Sequence, residues 1–404
     1  MIGVIFFIYR LIDFVITIFS SFFIPYLGFF PYKEILDKYN LPRFLSSLAN
    51  FDGVHYLLIA KNGYTTYEQA FFPLYPILIK LFWPHAYITN YLFGFVNSLI
   101  ISNLSFLIGL YIFAKYLNVI LGSANDSRID SGRVRSSLAR MTKISIWPII
   151  FLLLFPTSFF FGIIYTEGLF FLLFIGTLYF LKKEKYYIAA FFAFLASLTR
   201  FIGVFLIIPI LISQISRLKN KKNWKLEIGN WKFLLTLLSP LLGLGLYCTY
   251  LWKVHHDPFF FLSSQWAFGA HRTSRIILLP QVYYRYIMIF LTAKWNFQYF
   301  ISLFEFVTFS FVFVILILDF IRNWKLKIRN YERLGLNLFS FVNLILPTLT
   351  GTFSSIPRYA LFSISFFLYL SQIQNKSLKI AIAIVFGVLH IIMLSFFMQG
   401  YFVS

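Results

Sequence analysis

Acidic side chains are scarce in this chain, 14 Asp and Glu among 404 residues, so their positions restrict where base chemistry can occur. Glu34, Asp37, Asp52, Glu68 and Asp257 fall in two long segments, 31–87 and 253–296, and Glu167 sits near the same end of an apolar run. Asp52 lies in Phe51-Asp52-Gly53-Val54-His55-Tyr56-Leu57, which reads as a short amphipathic helix entered near Asp52. On a helix, His55 is three residues on and shares the face of Asp52, so a carboxylate and an imidazole can meet one substrate. The same Asp can equally cap the helix N-terminus, leaving His55 as a polar face residue. Glu167, in Tyr165-Thr166-Glu167-Gly168, is an ionisable group in apolar surroundings; that marks either a functional site or the partner of a buried Arg or Tyr.

Cations accompany these acids. Arg200 follows Ser197-Leu198-Thr199, and Arg358 sits in Ser355-Ile356-Pro357-Arg358-Tyr359. Each can fork onto a phosphate or simply snorkel to a membrane surface. The segment 253–296 adds Gln265, Trp266, Phe268, His271, Arg272 and Arg275. Aromatic faces can cover the apolar face of a sugar while guanidinium forks bind phosphate oxygens, although a stacked interfacial loop has the same composition. No Gly-rich phosphate loop follows a strand pattern, no Cys/His spacing suggests zinc, and no Ser/His/Asp order stands out, which disfavours nucleotide-driven and zinc chemistry. The single cysteine, Cys248, leaves no intrachain disulfide.

The elements that must position these residues are apolar almost throughout. With 60% hydrophobic and 12% charged residues, the chain has a membrane composition, and a bilayer core requires about 20 apolar residues per helix. Apolar runs predict about eleven crossings, at 4–30, 88–114, 144–161, 163–181, 186–200, 201–214, 232–252, 297–321, 335–350, 359–374 and 378–398. The first run is too long for a signal-peptide core and lacks a small-residue cleavage site, so it reads as a retained helix, with Arg10 and Asp13 able to pair on one face. The net charge of +21 lies in short clusters between runs, which fits the positive-inside rule and argues against a nucleic-acid face. With a cytoplasmic N-terminus, 22 Lys and Arg fall on the inner side and 12 on the outer. That orientation puts Asp52, Glu167, Arg200, Arg358 and both long segments outside. Their aromatic and proline content marks 31–87 and 253–296 as ordered, and 1–404 as a single membrane domain.

Taken together, Phe51-Asp52-Gly53-Val54-His55-Tyr56, Ile59-Ala60-Lys61-Asn62-Gly63-Tyr64 and Ala70-Phe71-Phe72-Pro73-Leu74-Tyr75-Pro76 resemble the luminal loop of the GPI mannosyltransferase 2 (PIG-V) family. The likeness continues in order through Phe155-Pro156-Thr157-Ser158, Tyr165-Thr166-Glu167, Leu198-Thr199-Arg200 and Pro357-Arg358-Tyr359. Phe51 replaces the Trp usual before the Asp. The compact chain looks more like prokaryotic relatives than a eukaryotic enzyme of GPI-anchor assembly. The resemblance implies an all-α, GT-C-type bundle with short amphipathic helices in its first outer loop. It also implies a multi-pass glycosyltransferase of the plasma membrane, or of the endoplasmic reticulum if eukaryotic. Its donor would be polyprenyl- or dolichyl-phosphate mannose and its acceptor a glycan or glycolipid, with no cofactor or obligatory metal. Asp52, His55 and Glu167 would be catalytic; Arg200, Gln265, Trp266, His271, Arg272, Arg275, Arg358 and Tyr359 would hold substrate and lipid phosphate. The competing class is a secondary transporter or flippase for a lipid-linked sugar, which would show paired repeats and mid-membrane ionisable groups.

Overall fold

The computed structural model describes residues 1–83, 91–126, 146–219, 231–268, 276–325 and 331–403, and among these the chain is helical without strands. Five helices are long and apolar enough to cross a membrane: α1 (Ile2–Phe23), α4 (Tyr91–Asp126), α9 (Trp231–His255), α11 (Phe297–Lys325) and α15 (Lys376–Met398). Their exposed side chains are mainly Phe, Leu, Ile and Val, as a lipid-facing surface requires. Between them, α6 (Glu167–Lys182) packs on α4 and on α7 (Tyr186–Thr199), and α7 packs on α9. A second group joins α8 (Ile207–Lys219) to α12 (Tyr331–Ile345), while α1 packs on α15.

Two predicted crossings are not continuous helices. The run 144–161 holds α5 (Trp147–Leu154), an extended Phe155, and a 3-10 turn at Ser158–Phe161. Pro156 is the reason: the residue before a proline is pushed out of helical geometry. The run 359–374 is split into α13 (Ile356–Ala360) and α14 (Ile364–Ser371). Backbone freed inside an apolar bundle must find a partner. Here Asn343 Nδ2 donates to the carbonyl of Tyr359 at 2.7 Å and lies 3.4 Å from Ser363 Oγ.

Within the segment 31–87 the described part is mostly short helices. Short helices at Lys33–Asp37 and Arg43–Ser46 lead to α2 (Asp52–Asn62) and α3 (Leu74–Leu81). Helix α2 is buried on most sides rather than amphipathic. The segment 253–296 contains α10 (Leu279–Thr292), which the apolar pattern did not single out.

These pieces converge at one end of the bundle. Helices α1, α7, α9 and α15 finish there, and α4 and α6 begin there. Leu27 N donates to Gln399 O, Asn50 Nδ2 to Phe397 O, Tyr247 OH to Gln69 O, and Tyr75 OH to Ser98 O. Deeper in the bundle, the expected Arg10–Asp13 pair forms at 2.7 Å, and His390 of α15 donates from Nε2 to the other Asp13 oxygen at 2.8 Å. Arg10 also donates to the carbonyl of Gly162 at 3.1 Å, lying so close that a Cβ on residue 162 would sit 2.3 Å from the guanidinium. A larger residue there would displace that arginine.

Candidate active site

Helix α2 is fixed against the entrance to α6 by local chemistry. A Cβ built on Gly53 would sit 3.0 Å from the carbonyl of Ile164, so the two backbones nearly touch. Ile164 N donates to Leu48 O at 3.0 Å and Tyr165 OH to Asn50 O at 2.8 Å, which joins residues 48–53 to 164–167. Phe51 has φ +59°, a costly conformation for a residue with a Cβ, and its buried ring is held by Phe30, Phe397 and Phe402. The turn this produces makes Asp52 the first residue of α2.

The N-cap position is Phe51, and the carboxylate of Asp52 meets Arg358. Arg358 Nη1 donates to Asp52 Oδ2 at 2.8 Å, and Arg358 Nε lies 3.5 Å from Glu167 Oε1. Arg200 Nη1 donates to the same Glu167 oxygen and to Thr166 Oγ1, the latter at 3.2 Å. The order is therefore Asp52, Arg358, Glu167, Arg200: two carboxylates and two guanidinium groups with no net charge. Glu167 is wholly buried, whereas the Asp52 side chain keeps 25% of its surface exposed, so Asp52 is the acid a substrate can reach. Aromatic rings wall the cations. The guanidinium carbon of Arg358 is 5.4 Å from the ring centres of Phe160 and Tyr165, and that of Arg200 is 5.1 Å from Tyr359. Such faces attract a cation and exclude water.

His55 lies one helical turn along α2 from Asp52. Its Nδ1 lies 3.1 Å from Glu68 Oε1, while Thr65 N donates to Glu68 Oε2 at 2.9 Å. Burial opposes charge on Glu68, yet the bonds from His55 and Thr65 outweigh it and hold the acid below the usual carboxylate range. Sequence reasoning placed Glu68 among the acids of this segment but gave it no role; its spacing from His55 matches no regular helix or strand relation.

The remaining candidates divide. Tyr359 contributes its ring to Arg200 and its carbonyl to Asn343. Gln265 and Trp266 lie in a 3-10 turn packed on Glu68–Ala70, with Trp266 edge-on to Tyr67 and largely exposed, so they border the His55 side and not the guanidinium groups. His271, Arg272 and Arg275 lie outside the described residues. Among the described residues, no three His, Cys, Asp or Glu side chains gather as metal ligands.

Residues 25–256 match the family model described as Mannosyltransferase (PIG-V). The matched stretch includes Asp52, His55, Glu68, Glu167 and Arg200, and stops short of Arg358, which the fold returns to them. No curated protein sequence and no solved structure gives a match.

Proposed function

This chain belongs to the mannosyltransferase (PIG-V) family, and from that membership we propose that it transfers mannose from a polyprenyl- or dolichyl-phosphate donor to a glycan or glycolipid acceptor at the non-cytoplasmic face of its membrane. The observation that carries this reading is the array Asp52–Arg358–Glu167–Arg200: a reachable carboxylate beside two guanidinium groups.

The reaction is a single in-line displacement. Asp52 accepts the proton of the acceptor hydroxyl as that oxygen forms its bond to the anomeric carbon. The bond from that carbon to the phosphate oxygen breaks, and its electron pair leaves with the lipid phosphate. A phosphate leaving group needs charge stabilisation more than protonation, and Arg200 and Arg358 supply it. Glu167 orients both guanidinium groups and balances their charge, a positioning role that its complete burial suits. Displacement from one side inverts the anomeric centre. Incubating the purified protein with polyprenyl-phosphate mannose and a glycolipid acceptor, and reading the product anomer by NMR, tests this: inversion fits, and retention would reject a single displacement.

One observation favours a second reading. Arg10, Asp13 and His390 are ionisable groups near the middle of α1 and α15, as in transporters that move ions or lipid-linked sugars. Against it, both Asp13 oxygens and Arg10 are bonded to protein partners that tie α1 and α15 to the 155–162 turn. Movement of intact donor across sealed vesicles without a new glycosidic bond would support the transporter reading.

A further inference from the structure

The polar groups around Asp52 have two chemically different ends. Toward Arg358, Glu167 and Arg200 the lining is charged. Toward His55 it is aromatic: Phe71 stacks on the imidazole with ring centres 4.9 Å apart, and Tyr32 and Phe268 meet it edge-on at 4.3 and 4.9 Å. Among the described residues, neither His55 nor Glu68 forms an ion pair with a Lys or Arg. Rings of this kind suit the apolar face of a sugar.

A carboxylate accepts, so a proton on Nδ1 faces Glu68 and the second ring nitrogen, Nε2, is left for another partner. Among the described residues that nitrogen has no hydrogen-bond partner, and it is buried in a residue only 6% exposed. An orphaned buried nitrogen is costly, and a ligand hydroxyl would satisfy it. Tyr32, which meets the imidazole edge-on, is only half-buried. Burial and the nearby Asp52 and Glu68 carboxylates push its phenol up.

We propose that His55, oriented by Glu68, is the acceptor subsite: its Nε2 accepts a hydrogen bond from a hydroxyl of an acceptor sugar, whose apolar face rests on the Tyr32 ring. The reasoning rests on the transferase reading above. In an in-line displacement the nucleophile and the leaving group lie on opposite sides of the anomeric carbon. With the donor phosphate at Arg200 and Arg358, the acceptor reaches Asp52 from His55, one turn along α2. Glu68 is a positioning residue, because it reaches the acceptor only through the imidazole.

The test uses the full chain in lipid nanodiscs, a short-chain polyprenyl-phosphate mannose as donor, and a glycolipid extract of the source membranes titrated as acceptor. His55→Phe keeps a ring and removes both nitrogens. Glu68→Gln keeps the shape but lets an amide N–H face Nδ1, which favours the other tautomer and turns Nε2 into a donor. Each variant should raise the acceptor KM about tenfold, the loss expected for one unmet hydrogen bond, with the donor KM within about twofold of wild type. Tyr32→Phe should behave like wild type and Tyr32→Ala like His55→Phe, which separates a lost platform from a lost phenol. A donor KM that rises as much as the acceptor KM, or a fall in kcat alone, would overturn the subsite. A wild-type protein that transfers no sugar at all would instead remove the transferase reading beneath it.

Discussion

Arg358 donates from Nη1 to Asp52 Oδ2 at 2.8 Å although 306 positions of chain separate the two residues. The contact joins α13, which follows a helix break late in the chain, to the first turn of α2 near its start. In the proposed mechanism that one bond sets the base beside the group that stabilises the leaving phosphate.

Loss of that guanidinium should therefore be felt in the chemical step. Arg358→Ala should lower kcat about 10²- to 10³-fold, the range seen when one charge-stabilising donor is removed, and Arg358→Lys should recover part of it. Steady-state assays at matched protein levels check this; an Arg358→Ala enzyme within twofold of wild type would exclude it from holding the phosphate.

Glu167→Gln tests the positioning role. It leaves two buried guanidinium groups without their shared counter-charge, and breaking a buried pair in this way costs about 3–5 kcal/mol. The expected outcome is a lower thermal midpoint in detergent together with a raised donor KM, measured by unfolding and kinetics on one preparation. An unchanged midpoint would show that Arg200 and Arg358 are held by other means.

The Glu68–His55 pair predicts a particular pH dependence. Because the folded protein holds the Glu68 carboxyl below its ordinary value near 4.5, its stabilising contribution is complete above that value and is lost as pH falls through the lower, folded one. Melting curves of wild type and Glu68→Gln should accordingly be separated at pH 6 and converge toward pH 3. Parallel curves would contradict the linkage.

The deeper cluster carries a stability prediction. Asp13→Leu removes the acceptor shared by Arg10 and His390, leaving Arg10 bonded only to the carbonyl of Gly162, and should destabilise the protein by about 3 kcal/mol or more. The double variant Asp13→Leu/Arg10→Met, which removes charge on both sides, should recover much of the loss in a thermal-shift series. If the double variant is as unstable as the single one, the cation is not the cause.

Chelation is the simplest check on the chemistry. With two guanidinium groups supplying the charge, EDTA treatment should leave transfer within about twofold of the untreated rate. Loss of activity restored by a divalent cation would require a metal in the mechanism.

Much of this was legible in the chain. Asp52, Glu167, Arg200 and Arg358 stand out as ionisable groups in apolar surroundings, and the structure brings all four into one array. Their pairing was not legible, because nothing local relates residues 52 and 358. The break at Phe155 was signalled by Pro156, whereas the one at residues 361–363 was hidden by apolar sequence running across it. What permits that break is Asn343, on a different helix, which bonds the freed carbonyl of Tyr359. The pairing of Glu68 was hidden for a similar reason: it meets His55 because a 3-10 turn folds it back onto α2. Trp266 was legible as an aromatic but not as a neighbour of Tyr67 on the acceptor side.

The central claim is that Asp52 is the base of a mannosyl transfer. Replacing Asp52 by Asn, which keeps its shape and its capacity to accept from Arg358, and measuring transfer from polyprenyl-phosphate mannose in membranes with matched protein levels addresses it directly. The account predicts a loss of about 10²-fold or more in kcat, the contribution typical of a positioned proton acceptor, with the donor KM little changed. Undiminished transfer by the Asn variant would remove Asp52 from the chemistry and, with it, the mechanism built on that carboxylate.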